Sequence, residues 1–299
     1  MEPINLVIST DARGALGAVV AARSIATNAQ AGREIRIFLV HSGISQTLLA
    51  DMTESLRGCP SQTSVYPVHF CTDRVHGVLR SSSLPAMAYA RLFVGEILPP
   101  ECHRCLYVDI DTITVADISS LYGTDMKGRT IAAARNYVND DGEGDFARLG
   151  ERGGVYFNSG VMLIDLERWR TLSVGMRALE YARKAGPKLI LHDQDALNIV
   201  LSDDWLEFSQ EWNWWFGTPP VEMDVKLFHC AMSPKPWHAD YSGEFRDLFR
   251  SFLKETPFAG KVPHRASSLA RFQATLKRRI PYLPAVWQRL EFLLRGRSR

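Results

Sequence analysis

The chain has 299 residues, 46% hydrophobic and 23% charged, a composition that supports one sizeable core and excludes a disordered or fibrous protein. Its net charge of +2 conceals a division: residues 265–299 hold nine Lys/Arg against the single acid Glu291, which leaves 26 basic and 32 acidic residues in 1–264. No stretch approaches the ~18 uninterrupted apolar residues of a spanning helix, and the acidic body gives no reason to expect a nucleic-acid partner.

Ile4–Ile8 is an apolar run that ends in Ser9-Thr10-Asp11, and Ala15–Ala26, rich in small residues, reads as a helix. Ile35–Val40 is a second strand, Gln46–Leu56 a second helix and Ser64–Phe70 a third strand. Pro85 starts a helix through Leu98, and Cys105–Val108 is a strand that runs into Asp109-Ile110-Asp111. Strands alternating with helices imply crossover connections and a mainly parallel sheet, so the fold class is α/β. Further on come strands Thr130–Ala134 and Val161–Ile164, a helix over Asp193–Leu201 and a strand closing on His229. Residues 1–260 read as one domain and 261–299 as a basic helical tail. Five cysteines without framework spacing favour a reducing compartment. The opening Met-Glu-Pro-Ile-Asn lacks the basic and long apolar regions of a secretory leader, so a cytoplasmic protein is expected.

Ligands gather at the carboxyl ends of parallel strands, which makes Asp11 and the Asp109/Asp111 pair candidates for one crevice. At i and i+2 of a strand, the two carboxylates would share a side, and their mutual repulsion is relieved by a divalent cation such as Mg²⁺ or Mn²⁺. His229 is a further ligand candidate, and an imidazole tilts the choice toward Mn²⁺. Lys235 lies between Pro234 and Pro236, which fix the backbone that presents its ammonium to a diphosphate.

The series Tyr89-Ala90-Arg91-Leu92, Leu106–Asp111, Tyr156–Val161, Asp193-Gln194-Asp195 and His229 followed by Lys235-Pro236-Trp237 resembles the family 8 retaining glycosyltransferases. That group includes bacterial lipopolysaccharide galactosyl- and glucosyltransferases and glycogenin. The resemblance runs over residues 4–240 and implies a single nucleotide-sugar-binding domain of GT-A type. It implies Asp109, Asp111 and His229 as Mn²⁺ ligands, Mg²⁺ being the substitute, with UDP-galactose or UDP-glucose as donor. Asp11 then resembles the uracil contact, and Ile110 falls among the donor-binding positions. Arg91, Asn158, Asp193 and Gln194 resemble the residues holding the donor sugar, Lys235 the diphosphate contact, and Gln194 the residue beneath the anomeric carbon. Its amide is a poor nucleophile, so Asp193 or Asp195 stands as the fallback nucleophile.

Three positions depart from the family pattern. Gly14 stands where an aromatic lies near the base, Met232 where the phosphate loop has glycine, and Arg135-Asn136 where an acidic residue meets the acceptor. Asp140–Asp145 is an acidic loop, and Trp212–Phe216 offers either a sugar platform or core packing. In the tail, Leu269, Phe272, Leu276 and Ile280 recur at helical spacing among cations and Trp287 follows, a pattern suited to an anionic membrane surface. The implied acceptor is a glycan or glycolipid, met at the inner face of the cell membrane. Two other readings stay open. Tyr107–Thr112 also resembles the first motif of haloacid dehalogenase-type phosphatases, and the chain could bind a nucleotide sugar as a non-catalytic scaffold. Gly14-Ala-Leu-Gly17 lacks the three-glycine turn of a dinucleotide site.

Overall fold

A computed structural model describes residues 2–78, 86–136, 149, 154–189, 191–215, 219–231 and 234–261. The acidic loop 140–145, Phe216, Met232 and residues 262–299, with the amphipathic pattern read in them, lie outside the described residues.

Strands β1 (Ile4–Asp11), β2 (Glu34–Ser42) and β3 (Gln62–His69) are joined by helices α1 (Ala15–Asn28) and α2 (Gln46–Glu54). β4 (Arg104–Val108), β6 (Ile131–Arg135), β7 (Phe157–Asp165) and β8 (Trp205–Glu207) complete a seven-stranded sheet of order β3-β2-β1-β4-β7-β6-β8. β7 runs antiparallel to both its neighbours, β4 and β6, while the other pairings are parallel. Two short strands, β5 (Thr112–Thr114) and β9 (Leu227–His229), pair antiparallel as a separate ribbon.

Both faces of the sheet are covered. Ile4, Leu6 and Ile8 pack into one apolar cluster and Val7, between them, into the other. This is why β1 reads as continuous hydrophobic sequence rather than an alternation. Each such side chain taken from water contributes about 1.5–3 kcal/mol. Helix α1 is built from small residues because it lies close over the site: a β-carbon on Gly17 would meet the Ile110 carbonyl and the Trp237 ring, both at 2.6 Å.

One expected element differs. The helix foreseen over 85–98 is a 3₁₀ segment over Ala86–Phe93 followed by a single α-turn, Val94–Ile97. Met87 and all five residues from Tyr89 to Phe93 are buried, so packing on every side, not one amphipathic face, sets the winding. The sheet order reverses its direction of growth between β1 and β4, and a crevice opens there beyond the strand ends. Asp11 closes β1 and Asp109 follows β4.

Candidate active site

β4 ends at Val108, so Asp109 and Asp111 converge through a turn and not through strand alternation. Thr112 holds that turn, its N–H (3.3 Å) and its hydroxyl (2.7 Å) both donating to the Asp109 carbonyl. The β5–β9 ribbon then brings in a residue more than a hundred positions away. Its register pairs Thr112 with His229, and the Cys230 N–H donates to the Asp111 carbonyl at 2.7 Å. His229 Nε2 consequently lies 3.3 Å from Asp111 Oδ1 and 3.8 Å from Asp109 Oδ2. One ligand atom from each of the three residues falls within 4.8 Å of the others.

The donor chemistry fits a cation of the Mn²⁺ or Mg²⁺ kind: two hard carboxylates and one imidazole nitrogen, fewer ligands than such a cation takes. The approach is tight on one side. A β-carbon on Gly160 would stand 2.2 Å from His229 Cε1 and 2.9 Å from Asp109 Oδ2, so glycine is what lets β7 pass beneath the trio.

Cations surround these acids. Lys235 Nζ donates to Asp111 Oδ2 and to the carbonyls of Cys230 (3.0 Å) and Ala231 (2.8 Å). Trp237 anchors the lysine's loop in a cluster with Val20, Ile113, Cys230 and Phe249. Burial pushes the Asp111 carboxyl up, but Lys235 and His229 outweigh it and hold that carboxyl well below the usual carboxylate range.

Arg91, itself buried, ties this corner to the next one. Its Nη2 donates to Asp109 Oδ1 at 2.8 Å, its Nε lies 2.9 Å from Asp193 Oδ2, and its Nη1 donates to the Ser159 carbonyl (2.7 Å) and hydroxyl (2.9 Å). Burial alone would lower the guanidinium's pKa, and Asp109 and Asp193 more than reverse that, so Arg91 stays charged. One guanidinium thus serves two carboxylates. The more deeply buried of them, Asp193, is harder to charge: burial outweighs Arg91 and pushes its carboxyl up to about 6.

Asp193 and Gln194 open the helix Asp193–Val200, which follows His192 at φ +52°, a conformation costly to any residue with a β-carbon. The Ser159 N–H (2.9 Å) and hydroxyl (3.3 Å) donate to Gln194 Oε1, which fixes the amide's orientation. Asp195, by contrast, is fully buried. Its oxygens accept from the Tyr156 hydroxyl at 2.6 Å and the Leu191 N–H at 2.9 Å. An acid enclosed in this way supports the helix start, and the fallback role of nucleophile does not suit it.

Asp11 stands at the far side of the crevice, where Oδ1 accepts from the N–H groups of Arg13 (2.9 Å) and Gly14 (3.0 Å), and Oδ2 pairs with the Arg13 guanidinium at 2.9 Å. Gly14 is no simple loss of an aromatic. A β-carbon there would meet Ile110 Cδ1 at 2.5 Å and Thr10 Oγ1 at 2.7 Å, so the Ile110 side chain already fills the position. Arg135 pairs with Glu207 at 2.7 Å. Trp212 and Trp214 are buried, so for them core packing holds and the sugar-platform reading does not.

Two residues that sequence reasoning missed also reach the trio. Tyr107 donates to Asp109 Oδ1 at 3.0 Å while its hydroxyl lies 2.8 Å from Ser9 Oγ. Asn213, fully buried between the two tryptophans, lies 2.8 Å from His229 Nδ1 through its Oδ1. For Tyr107 the available signal was its place two residues before Asp109, at the end of β4; Asn213 was masked by its aromatic neighbours.

A mixed sheet with an acidic pair and a histidine at its switch point is the GT-A arrangement of glycosyltransferases. Comparison with known proteins agrees: residues 5–241 match the profile described as Glycosyl transferase family 8. The chain belongs to that family. It is 29% identical over 259 residues to General stress protein A of Bacillus subtilis (strain 168), covering 78% of this chain and 87% of that protein. It is 28% identical over 205 residues to Lipopolysaccharide 1,2-glucosyltransferase of Escherichia coli (strain K12), covering 63% of this chain and 60% of that one. Among solved structures, the galactosyltransferase LgtC in complex with donor and acceptor sugar analogues is similar in fold, with a TM-score of 0.73 at 23% identity over 90% of this chain and 99% of that chain. The phosphatase reading of Tyr107–Thr112 is thereby overturned: the segment runs from the end of the fourth strand through a turn into the fifth, inside a glycosyltransferase fold. Among the described residues no helix is long and apolar enough to cross a membrane.

Proposed function

We propose that the protein moves galactose or glucose from a UDP-linked donor to a hydroxyl of a lipopolysaccharide or other lipid-linked glycan, with retention at the anomeric carbon. The observation that carries this reading is the meeting of Asp109, Asp111 and His229 within 4.8 Å beside Lys235, in a family whose relatives include the lipopolysaccharide glucosyltransferase named above. These three residues would hold Mn²⁺, with Mg²⁺ as substitute, and a cation so held supplies Lewis-acid stabilisation of a departing diphosphate.

The remaining roles follow from the chain's own groups. Lys235 gives a fixed positive charge to the same leaving group. Arg91 and Asp193, locked together, offer donors and an acceptor to the sugar hydroxyls, with Asn158 alongside. Gln194 lies under the anomeric carbon. An amide there, in place of the paired carboxylates of retaining hydrolases, favours attack by the acceptor on the face the phosphate leaves, with a phosphate oxygen taking the acceptor's proton. Asp11 accepts from the base, and Ile110 packs at the floor of the crevice. Residues 1–260 form the catalytic domain. The basic segment 261–299 holds the enzyme to the anionic inner face of the cell membrane, each cation there contributing about 1 kcal/mol.

The test is a panel of UDP-sugars with Mn²⁺, read as nucleotide release. Release from UDP-galactose or UDP-glucose, lost on chelation, is expected. Thermal protection by donor without any release would identify a scaffold. For the tail, removal of 262–299 should weaken binding to anionic vesicles and spare nucleotide release.

A further inference from the structure

A series of amides behind the metal-ligand trio has a defined sense. It begins at a group whose role is not open to choice, the backbone N–H of Gly160, which donates to Asn158 Oδ1 at 2.9 Å. That contact settles which end of the Asn158 amide is oxygen, an assignment that electron count alone leaves ambiguous for Asn. The same oxygen accepts from Asn213 Nδ2 at 3.0 Å, so the other end of the Asn213 amide is its oxygen, 2.8 Å from His229 Nδ1. An amide oxygen only accepts. His229 Nδ1 therefore carries a hydrogen, which leaves Nε2, the nitrogen that faces Asp109 and Asp111, as the one able to ligate a cation. At the other end, Asn158 Nδ2 donates to Asn136 Oδ1 at 3.3 Å. All of these side chains are buried, and water does not compete for their bonds.

We propose that Asn213 is a positioning residue with two outputs: it holds His229 in the tautomer that ligates through Nε2, and it holds the Asn158 amide in register with the donor sugar. The inference rests on the metal reading above, and it makes that reading directional. Partners of this kind behind a metal-bound imidazole change metal affinity about 10–100-fold when removed. The two outputs separate chemically. In Asn213→Asp a carboxylate still accepts from His229 Nδ1 but cannot donate to Asn158 Oδ1. In Asn213→Leu, close in size, both bonds are lost.

The experiment titrates Mn²⁺ alone into the full chain by calorimetry and electron paramagnetic resonance, then measures KM for the UDP-sugar at saturating Mn²⁺. Wild-type protein should bind one ion. Asn213→Leu should bind it about 10–100-fold more weakly, and Asn213→Asp should bind it as tightly as wild type while its donor KM rises. A general packing defect would not divide the two variants in this way. Absence of Mn²⁺ binding by the wild type defeats the metal reading itself. Binding by the wild type with an equal affinity in Asn213→Leu overturns the role of Asn213 alone. Should Asn213→Leu fail to fold, the aspartate variant decides: weakened Mn²⁺ binding, or an unchanged donor KM, overturns the proposal.

Discussion

The site contains two Asp-x-Asp sequences, Asp109-Ile110-Asp111 and Asp193-Gln194-Asp195, and the protein uses them in opposite ways. The first lies in a turn closed by Thr112, which aims both carboxylates at one point where His229 and Lys235 also arrive. The second lies in the first turn of a helix, where residues two apart point about 200° away from each other. Asp193 accordingly faces Arg91, whereas Asp195 turns inward to Tyr156 and the Leu191 N–H. Identical spacing therefore carries no chemistry by itself. The backbone that holds the pair decides whether two charges converge and require a cation or diverge into separate duties.

If convergence is what matters, breaking it should have the largest effect. Asp111→Ala or His229→Ala is expected to lower nucleotide release roughly a thousandfold or more, because the stabilisation lost is several kcal/mol and each 1.36 kcal/mol is tenfold in rate. Full activity in either variant with metal chelated would remove the trio from the mechanism. A subtler way to spoil the same point leaves every ligand in place. In Gly160→Ala the new methyl meets His229 Cε1 at 2.2 Å, in an imidazole pinned by Asn213, and overpacking of this kind costs about 1–3 kcal/mol. Mn²⁺ affinity should fall about 5- to 160-fold if that cost falls on the ligating geometry. An unchanged calorimetric titration would mean that the imidazole has room to move.

The diverging pair can be broken as well. Asp195→Asn replaces one accepting oxygen with an amide NH₂, a donor that opposes the Tyr156 hydroxyl or the Leu191 N–H. A buried donor left without its acceptor costs about 1–3 kcal/mol, so the melting temperature should drop while nucleotide release stays within about tenfold of wild type. Removal of a covalent nucleophile instead costs on the order of 10⁴ or more in rate. A loss of that size at an unchanged melting temperature would return Asp195 to the chemistry.

Much of this molecule was legible before any coordinates. β1, β2 and β4 announce themselves as apolar runs because both faces of the sheet are covered, and Asp11, Asp109 and Asp111 follow from where those runs stop. What joins Asp109 to His229 was not legible from pattern. β5 and β9 have three residues each, too few to show a period, so His229 stood as a lone ligand candidate until the resemblance to a family joined it to the acidic pair. Burial misled twice. Asn213 was hidden inside Trp212-Asn213-Trp214, where two core rings suggested a platform, and the largely buried Ala86–Phe93 read as part of a continuous helix. Asp195 could not be told from Asp193, because a helix start and a turn share the same one-residue spacing and differ only in backbone dihedrals.

The effect at Asp193 falls on stability and not on rate, and it tests whether Arg91 divides itself between two acids. The folded-state value of about 6 lies above the ordinary 3.8, so below the ordinary value both folded and unfolded chains hold the proton and the carboxyl costs nothing. As the pH rises from about 4 to 6, the unfolded chain releases its proton while the folded one keeps it, and stability falls through that window. At about 1.4 kcal/mol per pH unit, wild type should lose on the order of 2–3 kcal/mol relative to Asp193→Asn between pH 4 and 7. Urea midpoints of both proteins in chelator would measure it, since all other titrating groups are common to the two. A difference that stays flat with pH would show that the guanidinium compensates Asp193 in full, and the contrast between Asp109 and Asp193 in their claim on Arg91 would then disappear.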